Sequence, residues 1–154
     1  MQIAGEFYKV SVAQFGEENY ENIRLPERAT VGSAGYDIFA PCDFCLKPGE
    51  DIIIRTGIRV RINEGWMLMV FPRSGMGYKY QVRLANTVGI IDSDYFEADN
   101  EGHIMIKLCG VTSELSVKKG TAFAQAIFVP YGITESDSAS GKRTGGFGST
   151  DKKE

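Results

Sequence analysis

The chain has 154 residues, a formal net charge of −3 and three cysteines. A chain of this length folds most simply as one domain with its own core. The mild negative charge offers no basic surface for nucleic acid, and no apolar run approaches the ~20 residues that span a bilayer. The odd number of cysteines and an opening segment unlike a signal peptide predict a cytoplasmic protein without a disulfide framework.

Short strands separated by turns are predicted along most of the chain. Residues 57–62 alternate isoleucine or valine with arginine, which is typical of a half-buried strand. Residues 66–71 are continuously apolar and predict a central strand that is covered on both faces. Further strands are predicted at residues 7–12, 51–55, 103–111 and 121–131, and the small residues in the segment 33–40 allow close backbone packing before another strand. With almost no helix, this pattern predicts a β-sandwich, jelly roll or barrel.

Residues 86–95 read Asn-Thr-Val-Gly-Ile-Ile-Asp-Ser-Asp-Tyr and predict a buried strand that turns sharply at Asp92. Asp and Ser favour turns, and Tyr95 would begin the returning strand of a hairpin. Such a hairpin forms a shallow slot lined by backbone groups, with a carboxylate at one end and an aromatic wall. We interpret Ser93 and Asp94 as solvated turn residues.

Residues 72–77 interrupt the central strand and predict one short helical turn, with Ser74 available as its N-cap. N–H groups at a helix start favour an anion, Gly75 permits its close approach, and Arg73 adds a fixed charge. An ordinary turn is the alternative for this segment taken alone.

The C-terminal residues 143–150 combine glycines, an arginine and hydroxyl donors with Phe147, for which a flat ring is a natural stacking partner. The alternative is a disordered glycine-rich end. Cys42 and Cys45 have metal or redox spacing, but a second pair is missing, so we interpret them as structural. For His103 a surface or hydrogen-bonded role is favoured over catalysis.

Five segments in chain order resemble the five motifs of the homotrimeric dUTP diphosphatases (dUTPases). They are residues 34–37 (AGYD), 72–77 (PRSGMG), 89–95 (GIIDSDY), 120–125 (GTAFAQ) and 143–150 (RTGGFGST). The resemblance implies an all-β, jelly-roll-like barrel or sandwich with one short helix, in a homotrimer whose active sites are shared between subunits. We assign residues 1–135 to this β domain and residues 136–154 to a flexible linker and C-terminal arm.

The resemblance also implies Mg²⁺-assisted hydrolysis of dUTP to dUMP and pyrophosphate, which limits uracil incorporation into DNA and supplies dUMP for thymidylate synthesis. By position, Asp92 would deprotonate the attacking water, Tyr95 would lie against the deoxyribose and exclude a 2′-hydroxyl, and Asp37 would contact the metal through water. The other positions implied are Arg73, Ser74, Gly75 and Gln125 for the phosphates, Asn86, Gly89, Ile90 and Ile91 for uracil, and Arg143, Phe147, Gly148, Ser149 and Thr150 in the closing arm.

The chain departs from the family pattern after Tyr95, where a longer loop, residues 96–102, replaces a quick turn through glycine. Three other functions are open at this point. A dCTP deaminase, which resembles this family in fold, would need a catalytic glutamate and a different tail. A non-catalytic dUTP-binding regulator would bind without turnover. A plain jelly-roll interaction protein would leave the Arg/Phe/Gly tail unexplained.

Overall fold

The three-dimensional structure is a computed structural model that describes residues 2–141, 143 and 145. Its strands are β1 (Gly5–Lys9), β2 (Glu27–Arg28), β3 (Tyr36–Phe39), β4 (Phe44–Leu46), β5 (Asp51–Arg55), β6 (Ile58–Ile62), β7 (Trp66–Pro72), β8 (Arg83–Leu84), β9 (Gly89–Ile91), β10 (Met105–Cys109), β11 (Leu115–Val117) and β12 (Ala122–Pro130). The helices are α1 (Val12–Phe15), α2 (Ser74–Tyr80) and two 3₁₀ segments, Tyr20–Asn22 and Ser93–Glu97.

The strands pair antiparallel in separate sheets that do not close into one barrel. The largest has five strands in the order β2-β3-β12-β7-β9, and a second has three in the order β5-β10-β8. The pairs β1-β6 and β4-β11 form two further sheets. The apolar run predicted as a central strand is β7, which pairs with β12 on one side and β9 on the other. The predicted all-β architecture is confirmed.

The core lies between these sheets and is built from their inward-facing residues. Phe123, Leu68 and Leu108 are fully buried, and the Phe123 ring meets the edge of Phe44 at a centroid distance of 5.6 Å. In β6 the aliphatic residues Ile58, Val60 and Ile62 are buried, whereas Arg59 is half-buried and Arg61 is exposed. The predicted alternation is therefore confirmed, because successive side chains of a strand point to opposite faces.

The helices differ from the prediction in number and in capping. The predicted first strand ends at Lys9, because Ser11 caps α1 by accepting a hydrogen bond from Gln14 N through its Oγ at 3.1 Å. At α2, Ser74 is the first helical residue and not the N-cap as predicted. Arg73 holds the cap position, since its carbonyl accepts from Met76 N at 3.1 Å and starts the helical pattern.

The prediction of a hairpin that turns at Asp92 is wrong in two respects, the position of the turn and the strand that was to begin at Tyr95. The chain reverses earlier, where Leu84 bridges Thr87 and Thr87 adopts a φ of 69°. After β9 the backbone leaves the sheet as the 3₁₀ segment Ser93–Glu97, in which Tyr95 N donates to Asp92 O at 3.1 Å. Tyr95 is drawn inward by hydrogen bonds to its phenol, so the next strand, β10, starts at Met105.

Three further observations bear on the expectations from sequence. Cys42, Cys45 and Cys109 are free, in agreement with the absence of a disulfide framework. Within residues 2–141, 143 and 145, no helix combines the length and the apolar character needed to cross a membrane. The last strand ends at Pro130, and residues 131–141 contain neither helix nor strand. The division at residue 135 remains a prediction.

Candidate functional site

The predicted phosphate contacts Arg73 and Gln125 lie together with Asp37, the predicted metal contact, at the five-stranded sheet. Gln125 of β12 stands opposite Asp37 of β3 in the ladder, and Arg73 follows the end of β7. The Arg73 Nε atom lies 3.2 Å from Asp37 Oδ1, and Gln125 Nε2 donates to the Pro72 carbonyl at 3.2 Å. A Cβ atom at Gly35 would come within 2.9 Å of Gln125 Oε1. The small residue therefore lets the amide lie against this backbone.

Ser74 and Gly75 extend the same cluster into the first turn of α2. Both residues are exposed, and a Cβ atom added to Gly75 would meet no other atom within 4 Å. The first N–H groups of a helix have no partner within the helix itself and carry a partial positive charge. Arg73, whose half-exposed guanidinium pairs with Asp37, holds the cap position directly before them, so this end of the helix offers positive charge and N–H donors to an anion.

A second cluster lies at the edge strand β9. Asn86, Gly89, Ile90 and Ile91, the predicted uracil contacts, line one pocket of about 290 Å³. The rest of its lining is mostly aliphatic and comes from β5, β7, β8, β10 and residues beside them. Because an edge strand presents backbone N–H and C=O groups on its free side, this pocket combines apolar walls with hydrogen-bonding backbone. It can accommodate a small planar heterocycle.

Asp92 follows β9 directly and carries a carboxylate that is half exposed. Its Oδ2 accepts a hydrogen bond from Arg143 Nη2 at 2.5 Å, and the Arg143 Nε atom donates to Asp94 Oδ1 at 3.0 Å. The interpretation of Asp94 as a merely solvated acid is therefore wrong. The guanidinium that joins the two carboxylates comes from a part of the chain 49 residues after Asp94 and 51 residues after Asp92.

Tyr95 lies on the 3₁₀ segment, three residues after Asp92, and is buried at 7% exposure. Its hydroxyl donates to the His103 carbonyl at 2.9 Å and accepts from Asn100 Nδ2 at 2.8 Å. The Arg143 guanidinium carbon lies 5.7 Å from the centre of its ring. Sequence reasoning did not identify Asn100, and the unusual length of the loop after Tyr95 was the one signal that could have pointed to it.

His103 is fully buried and hydrogen-bonded, so the hydrogen-bonded role favoured from sequence holds and the surface role does not. Its Nε2 accepts from Gly57 N at 2.9 Å, and its ring lies 6.1 Å from that of Phe15. Burial, reinforced by the positive charge of Arg55 and opposed by Glu101, lowers the pKa of His103 to about 4. The imidazole is therefore neutral near pH 7 and acts in the fold.

Ion pairs and side-chain hydrogen bonds divide the predicted residues into two groups. Asp37, Arg73 and Gln125 form one, and Asp92, Tyr95 and Arg143 form the other. Among the positions that the structure describes, no such bond joins the two. Over the same positions, no group of three or more His, Cys, Asp or Glu side chains is arranged to hold a metal ion. The arm residues Phe147, Gly148, Ser149 and Thr150 lie outside the described part.

Comparison with known proteins gives a consistent result. The dUTPase family model matches residues 21–151. The deoxyuridine 5′-triphosphate nucleotidohydrolase of Lactococcus lactis subsp. lactis is 39% identical over 137 residues, which cover 85% of this chain and 91% of the relative.

Solved structures share the fold. A dUTPase from Streptococcus mutans superposes with a TM-score of 0.69 at 28% identity, over 84% of this chain and 98% of that one. A dUTPase from phage phi11 of S. aureus, in which the coordination of a structural Mg(II) ion has been described, superposes with a TM-score of 0.67 at 22% identity. That match covers 89% of this chain and 97% of the phage chain.

Proposed function

Because the chain belongs to the dUTPase family, and so is a dUTP diphosphatase, we propose that it cleaves dUTP by attack of an Asp92-activated water on the α-phosphorus. One observation carries the proposal: Asp92 directly follows β9, and three β9 residues line the neighbouring pocket. A base held in that pocket would keep its sugar and α-phosphate within reach of the carboxylate. The products would be dUMP and pyrophosphate.

The pocket supports uracil as the base. An edge strand can meet a base with backbone N–H and C=O groups, and Asn86 adds a side-chain amide at the pocket wall. Cytosine would present a donor where uracil presents an acceptor, and an unpaired buried polar group costs ~1–3 kcal/mol. We propose that the apolar wall of the pocket also excludes the methyl group of thymine.

The polar and cationic residues of the first cluster would hold the phosphate chain. Arg73, Gln125 and the first turn of α2 supply donors and positive charge, while Asp37 places one carboxylate among them. Mg²⁺ commonly binds one or two carboxylates together with substrate phosphates, so this donor set fits a metal held mainly by the nucleotide, with Asp37 contacting its water shell. Bound there, Mg²⁺ would neutralise phosphate charge.

A complete site requires residues from both clusters, and this requirement supports a homotrimer with sites shared between subunits. The bonds of a single chain do not join Asp37 and Arg73 to Asp92 and Tyr95 within the described positions. A neighbouring copy could bring one cluster against the other. The arm residues Arg143, Phe147, Gly148, Ser149 and Thr150 would then close over the nucleotide, with Phe147 stacked on uracil.

To activate water, Asp92 needs a carboxylate oxygen that is free to accept a hydrogen bond from it. One of its oxygens accepts from Arg143, so the carboxylate must either hold water through its other oxygen or exchange the guanidinium for water. We propose that Arg143 leaves Asp92 and binds the γ-phosphate of the substrate, which would free the Asp92 oxygen for water. The free thiols, including exposed Cys45, support a reducing, cytoplasmic location, where the reaction would limit uracil in DNA and supply dUMP.

The test is pyrophosphate release from dUTP, dTTP, dCTP and UTP, with Mg²⁺ and with chelator. We expect turnover of dUTP alone and strong inhibition by chelator, and ammonia release from dCTP would instead reveal a deaminase.

The Asp92→Asn variant should still bind dUTP but lose ~10²–10⁴-fold in turnover, the range for a general base. Asp94→Asn is the matched control, because it removes the other acid bonded to Arg143 and should keep most activity. If the wild-type protein bound dUTP tightly but did not hydrolyse it, the protein would be a dUTP-binding regulator.

A further inference from the structure

The segment after the 3₁₀ helix, residues 98–103, encloses the hydroxyl of Tyr95. Asn100 Nδ2 donates to the Tyr95 oxygen at 2.8 Å, and that hydroxyl donates to the His103 carbonyl at 2.9 Å. Asn100 belongs to the long loop after Tyr95, residues 96–102, by which the chain departs from the family pattern, and His103 follows that loop directly. The phenol is held as donor and as acceptor, so withdrawal of the ring would break both bonds.

The Asn100 amide is itself held in one orientation. Its Oδ1 accepts from Gly102 N at 3.2 Å, and its backbone carbonyl accepts from His103 N at 3.1 Å. With the oxygen of the amide occupied by the backbone, the NH₂ group faces Tyr95. A carboxylate at this position would have the same shape but no proton to donate to the phenol.

The segment rests on anchors outside the site. Glu101 accepts from both the backbone N and the Oγ of Ser11, at 2.8 and 2.5 Å. Arg59 donates to the Phe96 carbonyl at 2.5 Å, and its guanidinium carbon lies 3.6 Å from the centre of the Phe96 ring. These contacts tie residues 96–101 to α1 and β6. The amide that holds Tyr95 is therefore fixed to the sheet.

From these contacts we infer that Asn100 is a positioning residue that fixes the Tyr95 ring and thereby sets the discrimination between deoxyribose and ribose. The inference rests on the proposed function, in which Tyr95 is the wall against the sugar. A wall excludes one extra oxygen atom only if it cannot retreat by about the size of that atom, and misplacements near 1 Å can change rates ~10²-fold. Asn100 and the His103 carbonyl prevent that retreat.

The experiment compares kcat/KM for dUTP and for UTP in wild-type protein and in Asn100→Ala and Asn100→Asp. We expect the preference for dUTP to fall about five- to tenfold in both variants, the scale of one lost hydrogen bond. The change should come mainly from faster UTP turnover, with kcat for dUTP little altered. Asn63→Ala is the control, because its side-chain amide bonds the Ile3 carbonyl at 2.7 Å in an exposed turn outside the site.

A double-mutant cycle with Tyr95→Phe distinguishes positioning from general loosening of the fold. If Asn100 acts through the phenol oxygen, Asn100→Ala should lower selectivity no further once that oxygen is absent. Additive losses, or unchanged selectivity in both Asn100 variants at unchanged Tm, would overturn the inference while wild-type dUTP turnover upheld the proposed function. Wild-type protein that failed to hydrolyse dUTP would overturn both. Should Asn100→Ala fail to fold, the isosteric Asn100→Asp decides the matter.

Discussion

Acidification should destabilise this protein through His103, the one histidine in the sequence. In the folded state its Nε2 accepts from Gly57 N, and Nδ1 has no hydrogen-bond partner among the described residues. Protonation would turn the acceptor into a donor that faces another N–H group. Burial lowers the pKa of His103 to about 4 in the folded protein. In the unfolded chain the imidazole titrates at its ordinary value of 6.5.

The magnitude and its sign follow from that difference. Between the two pKa values the unfolded chain binds the proton and the folded chain does not, so stability falls as the pH falls from 6.5 to 4. The loss in the free energy of unfolding is about 2 kcal/mol at pH 5 and about 3 kcal/mol at pH 4. Most of the loss precedes the titration of carboxylates such as Glu101, whose pKa is lowered by its hydrogen bonds to Ser11.

Two measurements check this prediction. Urea unfolding at pH 7, 6 and 5, at one protein concentration, should show the decrease in wild-type protein and little decrease in His103→Gln, which keeps a neutral acceptor. Because the chain has one histidine, a single imidazole signal in the NMR spectrum reports its titration directly. A midpoint near 6.5 in the folded protein, or an equal decrease in His103→Gln, would refute the reasoning.

Two further predictions concern Gly102 and the C-terminal arm. Gly102→Ala should cost about 2–4 kcal/mol of stability, because φ is +68° and its Cβ would lie 2.6 Å from the Tyr95 carbonyl oxygen. Gly49→Ala, with φ of +83° and open space, isolates the backbone strain, so equal costs measured by urea unfolding would contradict the close contact. Deleting residues 140–154 should leave Tm nearly unchanged, because Asp92 and Asp94, which would lose Arg143, are half exposed and such ion pairs contribute ~0–1 kcal/mol, but it should reduce dUTP turnover strongly. A fully active or unfolded truncation would show that the arm is not a lid.

The sequence by itself determined the elements whose cause is local. The alternation in β6 predicted its buried face, because side-chain direction in a strand follows from its period of two. The apolar run predicted the strand β7 itself, but the predicted cover on both faces is wrong, since only Leu68 and Val70 are buried and their neighbours are half-buried. The motifs indicated the dUTPase family, and the uracil contacts predicted on that basis line one pocket. These residues are close in the sequence or carry motif patterns, so no long-range contact was needed to find them.

Tertiary structure decided the surroundings of Asp92 and Tyr95. The hairpin prediction failed after Asp92 because turn propensity describes only neighbouring residues, whereas the path of Tyr95 depends on partners at Asn100 and His103. The pairing of Asp92 and Asp94 with Arg143 likewise joins groups far apart in the chain. Such bonds depend on which surfaces the packed sheets bring together. A local sequence pattern does not indicate which residues distant in the chain become neighbours.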